Sequence, residues 1–500
     1  MPEESKPGLP PPPPSLLSRS PLRWLAFFGP GAIIASVNIG SGEIFFPSRT
    51  GSVFGYRILW VLLLIALLKW ILVYTSMRHM ILTGGHPCRR WSSIPGPPGW
   101  MNLFMVAVAV VCSPLWLCFL EGVLGTICTW IFGVGSLHAW ASLWVAVALL
   151  LLAVGRYQFL EKAQMLILGV TVSCILVAVF HVRPDWWKVF EGFLVPVALT
   201  YPEWLARELP EMAARSPWLE IMVYAAALGG QSYDYLAYVS FLREKKWGHS
   251  ACGPVTSARL AKAAARPDDP ARLWVRAAVI DTVVSFAMIV LVAACFSILG
   301  TVLLQPHYLV PDGVNLLNYQ ATFLTTLSPW LLPLYKIGVF FAFFGILYGG
   351  PEVTYRLLYE FGLTLGKTRS ELDNSRLRWA TILWILLGGL GILWLTRLFP
   401  QVDLLDIVTP AGIYTGVLLC GFYCLANIWS DWKFLPEELR MPRFLAAANL
   451  VAGLAFTAMG LKAIWDYDQI RGFVILAVLL SGSMLVASRW KRIRPISDAQ

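Results

Sequence analysis

Asn38-Ile39-Gly40-Ser41-Gly42-Glu43 and Ala227-Leu228-Gly229-Gly230-Gln231-Ser232-Tyr233-Asp234-Tyr235 are the two stretches on which the fold turns. Each interrupts an otherwise apolar run with glycines, hydroxyls or amides, and a carboxylate. Each Gly disfavours a helix by about 1 kcal/mol, and a carboxylate at membrane depth costs more. Backbone that unwinds inside a bilayer is tolerated only where protein or water surrounds it. A pair of Gly-interrupted apolar segments at matching places in two halves of a chain marks a substrate or ion site. The freed carbonyls and the two carboxylates offer hard oxygen ligands suited to a cation.

The rest of the chain reads as membrane. Of 500 residues, 57% are hydrophobic and only 14% charged, where a soluble domain carries roughly 25% charged residues. Mean hydropathy is +0.65. Apolar blocks fall near residues 23–46, 56–78, 101–123, 138–155, 159–181, 219–242, 276–303, 329–350, 378–396, 404–427, 443–464 and 470–489. Most approach the roughly 20 residues that cross a hydrocarbon core. The expectation is an all-α integral membrane protein of about twelve helices. This excludes a soluble enzyme, a disordered tail and a secreted disulfide scaffold. Most of the nine cysteines lie inside apolar blocks, so no disulfide framework is visible. Cys420 and Cys424 share a helix face and read as small packing residues, with a metal pair as the alternative. The proline run Pro10 to Pro14 cannot form a helix, so residues 1–20 read as a disordered cytosolic leader without a signal peptide.

Charge orients the spans. Arg243, Lys245, Lys246, Arg259, Lys262, Arg266, Arg272 and Arg276 fall between blocks six and seven, and Arg356, Lys367, Arg369, Arg376 and Arg378 between eight and nine. Arg489, Lys491, Arg492 and Arg494 end the chain. In a twelve-span path all of these face one side, while 304–328 on the other side has no Lys or Arg. Both termini are therefore expected in the cytoplasm. The expected organisation is a leader (1–20), a five-helix repeat (21–182), an extracytoplasmic loop (183–218), a second five-helix repeat (219–427), two further helices (428–490) and a cytosolic tail (491–500). The net charge of +10 is scattered among loops with no nucleic-acid motif beside it, so nucleic acid is not an expected partner.

Other polar residues inside blocks are few. Lys69 lies mid-block and reads as snorkelling or facing a cavity. Glu121 reads as a proton relay or a helix-cap partner. Asp281 is expected at a membrane edge near Arg276, and Glu352, after Gly349-Gly350-Pro351, in a loop. The six histidines lie outside or at the edges of blocks, without metal-ligand spacing. The bland alternatives for the breaks are a helix-end Glu43 facing water, an Asp234 hydrogen-bonded to Tyr or Ser, and Gly229-Gly230 as close helix packing.

Gly29-Pro30-Gly31, the first break, and Gly55-Tyr56-Arg57-Ile58-Leu59-Trp60 resemble the opening of Nramp-type divalent-metal transporters. Gly155-Arg156-Tyr157 with Leu160-Glu161-Lys162, and Ile280-Asp281 opening block seven, are similar to the same family. The resemblance runs from about residue 22 to 430. It implies a LeuT-like fold: two inverted five-helix repeats, broken spans one and six, and a midplane site for proton-coupled uptake of divalent metal. This chain departs from the family's pattern. Asp-Pro-Gly-Asn at the first break is here Gly40, Ser41, Gly42 and Glu43, and Met-Pro-His-Asn in span six is here Gly229, Gly230, Gln231 and Ser232. In span three the acidic pair is reduced to Glu121, with Cys118 in place of the Asp. The chain is similar to a divergent branch with a Gly-Ala-Gly-Asp-like break in span one and an Asp in span six, which Glu43 and Asp234 match. Without the soft Met thioether, harder ions such as Mg²⁺ or Mn²⁺ are expected.

The functional expectation is a secondary transporter of a divalent cation (Mn, Mg or Fe type). Gly40, Glu43, Gly229, Gln231, Ser232 and Asp234 would form the site, and Glu121 the proton pathway. The ion is substrate, and no cofactor or obligate protein partner is expected beyond metal, protons and the lipid bilayer of a bacterial inner or plasma membrane. Two alternatives stand beside it. One is a transporter of a small organic solute such as an amino acid or amine, with Tyr233, Tyr235 and Tyr238 lining a pocket. The other is a non-transporting receptor on the same fold. No nucleophile–base pair or phosphate loop supports an enzyme.

Overall fold

The structure is a computed structural model that describes residues 9, 11–18, 41–154, 158–311, 316–366, 375–399 and 401–490. Gly29-Pro30-Gly31, Asn38 to Gly40, the Gly155-Arg156-Tyr157 split and the 491–500 tail lie outside the described residues, as does most of the leader. The described residues form helices and no strand.

Block one enters through a π-helical turn, Ser41–Phe45, and continues as α1, Phe46–Phe54. Gly55 turns the chain at φ 65° into α2, Leu59–Thr83. There follow α3 (Trp100–Phe132), α4 (Leu137–Val154) and α5 (Gln158–His181). Block six is two helices, α6 (Pro217–Ala227) and α7 (Ser232–Lys245). Then come α8 (Pro270–Leu299), α9 (Leu332–Thr364) and α10 (Ser375–Leu395). Block ten divides into α11 (Leu404–Gly412), a π-helical stretch (Ile413–Leu418) and α12 (Leu419–Phe434). α13 runs from Arg443 to Arg489.

Among the described residues, eight continuous helical runs have the length and apolarity to cross a membrane. The difference from twelve blocks comes from two mergers, from the division of block six, and from block five, of which Gly169–His181 counts only as a shorter apolar helix. Gly42–Thr83 and Arg443–Arg489 each run through two blocks. At 1.5 Å per residue, α13 would be about 70 Å long, more than twice the hydrocarbon thickness. Its 47 residues are divided at Gln469, which leaves helical geometry at φ 49°, ψ −128°. Block six fails as one span because its break leaves two short halves.

One expectation is corrected, and the surroundings of a second polar residue are defined. Glu352 is not in a loop: Pro351 sits inside α9, and Glu352 pairs with Arg378 of α10 at 2.9 Å. The Gly-Gly-Pro signal reads as a stop in water, but packed neighbours in a membrane let a helix run through proline. Asp281 lies inside the bundle. α8 begins at Pro270, so Asp281 is three turns in, fully buried, and accepts a hydrogen bond from the Tyr238 hydroxyl of α7.

α1 is seated by backbone contact with α8. A β-carbon at Gly51 would lie 2.2 Å from the Ser297 carbonyl oxygen, and one at Gly300 2.4 Å from that of Ser48. Small residues let membrane helices approach this closely, and the Thr301 hydroxyl donates to the Gly51 carbonyl across the contact at 3.0 Å. The outer surface is apolar: Val451, Leu454, Val474 and Val478 of α13 and Leu387 and Leu395 of α10 are exposed, as a lipid-facing surface requires. One end of the bundle is tied by Arg49 of α1, which pairs with Glu220 of α6 at 3.0 Å and donates to the Pro311 carbonyl at 2.8 Å. The opposite, basic end is tied by Arg243 of α7 to Glu360 of α9 and by Arg78 of α2 to Asp431 of α12 at 3.1 Å.

Candidate ion site at the broken sixth span

Between α6 and α7 the chain leaves the helix over residues 228–231. Gly229 and Gly230 take φ +71° and +94°, a region that disfavours any residue with a β-carbon. Unwinding strands backbone groups that must find partners, since no bulk water is at hand.

The partners come from four directions. Glu43 of the π-helical turn accepts from the Gly229 N–H at 2.7 Å. Asp234 accepts from the Gln231 N–H at 2.8 Å, completing a reciprocal cap on α7. The Gly230 N–H reaches the Ala227 carbonyl at 3.4 Å. The carbonyls are covered by donors: the Lys69 ammonium of α2 donates to Ala226, Leu228 and Gly230 at 3.2, 2.7 and 2.8 Å. The Tyr235 hydroxyl lies 2.8 Å from the Gly229 carbonyl and 3.1 Å from that of Gly230.

The first span meets the broken sixth here. A β-carbon at Gly42 would lie 2.2 Å from the Ala227 carbonyl oxygen, so the first helix approaches the sixth at its unwound point because residue 42 has no side chain. Glu43 is fully buried, and it and Asp234 both act electrostatically on Lys69. With the carboxylates ionised, the set carries two negative charges and one positive.

Ser232 and Gln231 face a third element. The Ser232 hydroxyl donates to the Thr415 carbonyl at 2.6 Å, and the Thr415 hydroxyl donates to the Gln231 side-chain oxygen at 2.7 Å. Thr415 sits in the π-helical stretch before α12, and Trp116 of α3 donates to its hydroxyl at 3.2 Å. Beside these groups lies a cavity of about 80 Å³ lined by Gly42, Trp116, Gly230, Gln231, Asp234 and, from α9, Thr354. It is large enough for a few waters or a partly hydrated ion.

The structure thus brings Glu43, Gly229, Gln231, Ser232 and Asp234 to one place, while Gly40 lies outside the described residues. Glu121 stands apart. Leu117 and Leu120 line the cavity, but Glu121 does not. Its carboxyl is buried against α10, where a β-carbon on Gly389 would lie 3.1 Å from Oε2, and neither oxygen has a hydrogen-bond partner among the described residues. No group of three or more His, Cys, Asp or Glu with metal-binding arrangement occurs among the described residues. Sequence reasoning left Lys69 undecided and missed Thr415. The Pro410-Ala411-Gly412 and Gly416 pattern in block ten carried the signal for a third irregular segment.

The model of the natural resistance-associated macrophage protein-like family, Nramp, matches residues 31–396. The chain belongs to the Nramp family. Two curated Nramp relatives are similar over shorter stretches. Human natural resistance-associated macrophage protein 2 is 24% identical over 180 residues, 34% of this chain and 30% of that protein. The divalent metal cation transporter MntH of Brucella suis biovar 1 (strain 1330) is 30% identical over 178 residues, 34% of this chain and 37% of that protein. The matched stretch is thus about a third of each relative's length. Among solved structures, the Eremococcus coleocola manganese transporter bound to an aromatic bis-isothiourea compound superposes with a TM-score of 0.69 at 14% identity, covering 98% of this chain and 97% of that one. MhsT in complex with L-phenylalanine gives 0.51 at 14% identity, covering 88% and 98%. The fold is the LeuT-like one that the family resemblance implied.

Proposed function

We propose that this Nramp-family chain is a secondary transporter that carries a divalent cation of the Mg²⁺, Mn²⁺ or Fe²⁺ type across a membrane and is not an enzyme. The observation that carries the reading is the meeting of Glu43 and Asp234, from spans one and six, at one unwound point. A cavity that Asp234 lines adjoins it. The proposed ligand set is all oxygen: the two carboxylates and the Gln231 and Ser232 side chains. Such a set favours hard cations over soft ones. The similarity to a divalent metal cation transporter and to a manganese transporter supports the same substrate class. A cavity of about 80 Å³ is small beside the roughly 300–1,000 Å³ of organic-ligand pockets, which disfavours an amino acid or amine.

Protons are the proposed coupling ion and Glu121 their carrier. It is a buried carboxyl one helical turn along α3 from Leu117, which lines the cavity, and a buried carboxyl avoids the cost of an isolated charge by taking up a proton. Both termini are placed in the cytoplasm by the charge bias, with 21–182 and 219–427 as the two repeats.

The test is uptake of Mn²⁺ and Mg²⁺ into proteoliposomes, with and without a pH gradient, by wild type, Glu43→Ala and Glu121→Gln. Saturable uptake should vanish in Glu43→Ala. Glu121→Gln should keep metal uptake but lose its stimulation by the gradient. Flat traces for every divalent ion in the wild type would sink the metal claim, and a marked preference for Cd²⁺ over Mn²⁺ would sink the hard-ligand site.

A further inference from the structure

Lys69 is the charged group at the site that the functional reading does not use. It is fully buried mid-way along α2. An ammonium has three donors, and here each has its own backbone acceptor, at Ala226, Leu228 and Gly230. A neutral amine has only two protons and would turn a lone pair towards the third oxygen, so the cage is built for a cation. Its remaining wall is Tyr235, which covers the Gly229 carbonyl and shares that of Gly230. The carbonyls are those of the C-terminal end of α6, the negative pole of that half-helix. Glu43 and Asp234 act electrostatically on the ammonium. Oxygens at 2.7–3.2 Å from a central charge resemble the dehydrated coordination of an alkali ion by backbone carbonyls. Unwound carbonyls and half-helix C-terminal ends are also where transporters of this architecture hold a coupling cation.

We propose that the carbonyl cage at the end of α6 is an alkali-cation site that this chain fills permanently with its own Lys69 ammonium, so that neither Na⁺ nor K⁺ enters or is needed there. The tether replaces an ion that would otherwise bind and leave. It makes transport indifferent to alkali gradients and holds the break in its unwound form throughout. The inference does not depend on which solute the carboxylates take, so its failure and the failure of the metal reading are separable.

The experiment is thermal unfolding of the purified full chain in detergent, in choline, sodium, potassium or rubidium chloride at constant ionic strength. Wild type should unfold at the same midpoint in all four. Lys69→Ala opens the cage. Purified in potassium chloride it should fold, and its midpoint should fall in choline and recover saturably as K⁺ or Na⁺ is added. Lys69→Met keeps a stem in the cage without charge, so its midpoint should be low in every salt with no recovery. A saturable alkali response in wild type overturns the proposal whatever the variants do. So does a Lys69→Ala chain that ignores alkali ions or fails to fold even in potassium chloride, and so does a Lys69→Met chain that responds as Lys69→Ala does.

Discussion

The two helix ends that face each other across the sixth span are treated in opposite ways. The C-terminal end of α6 presents carbonyls, and they are covered from inside the protein by Lys69 and Tyr235. The N-terminal end of α7 presents N–H groups, takes Asp234 as its cap and opens on a cavity. Each end receives the charge its dipole favours. Ala227 at the α6 end also lines that cavity, but the carbonyls there are already taken by Lys69 and Tyr235, whereas the α7 end offers the Asp234 carboxylate. The difference teaches that an interrupted helix is two sites rather than one, and that a chain can close one permanently while leaving the other to work.

The comparison breaks most directly at Asp234. An Asn side-chain oxygen is still an acceptor, so Asp234→Asn can keep the bond from the Gln231 N–H and removes the charge. Uptake of Mn²⁺ or Mg²⁺ should fall to background while the unfolding midpoint stays close to that of wild type. If Asp234→Asn transports normally, the α7 end is a structural cap and the functional asymmetry between the two ends is gone.

A smaller effect is expected from the glycines that set the geometry of both ends. Gly230 stands at φ +94°, where a residue with a β-carbon is strained by about 1–3 kcal/mol. Gly230→Ala should lower the unfolding midpoint and reduce uptake several-fold by displacing a carbonyl that Lys69 holds and a wall of the cavity. Gly349→Ala in α9 is the matched control, because a β-carbon there meets nothing within 4 Å. Equal losses in the two variants would mean that the break tolerates rearrangement and that its conformation is not what positions the charges.

How much of this was legible in the sequence follows from what sequence encodes locally. Gly229-Gly230 followed by Gln, Ser and Asp announces an unwound point with a cap, and the structure has both. Glu43 in the matching segment announces a second carboxylate, and Gly42 allows it to arrive. What was not legible is what comes from elsewhere in the chain to meet the break. A lysine in the middle of an apolar run reads equally as snorkelling or as facing a cavity, and only packing shows that its stem crosses to α6. The length signals failed for a related reason. Block boundaries count apolar residues, whereas helices in a bilayer run on through Pro351 and are cut by a single non-helical Gln469.

The finest test of the comparison lies in the third element that braces the α7 end. Thr415 accepts from the Trp116 indole, and its one hydroxyl proton is within reach of both the Gln231 side-chain oxygen and the Ala411 carbonyl. Thr415→Val preserves shape and removes the hydroxyl. The cost should be about 1–3 kcal/mol, because buried groups of Trp116 and Gln231 lose a partner. If Gln231 is a ligand whose orientation Thr415 fixes, half-saturation for the metal should rise a few-fold while the maximal rate holds, since the carboxylates are untouched. If Gln231 only packs, stability alone should change. A drop in maximal rate with unchanged half-saturation would point instead to the π-helical stretch as a moving part. The bracing of the α7 end would then belong to the transport cycle rather than to binding.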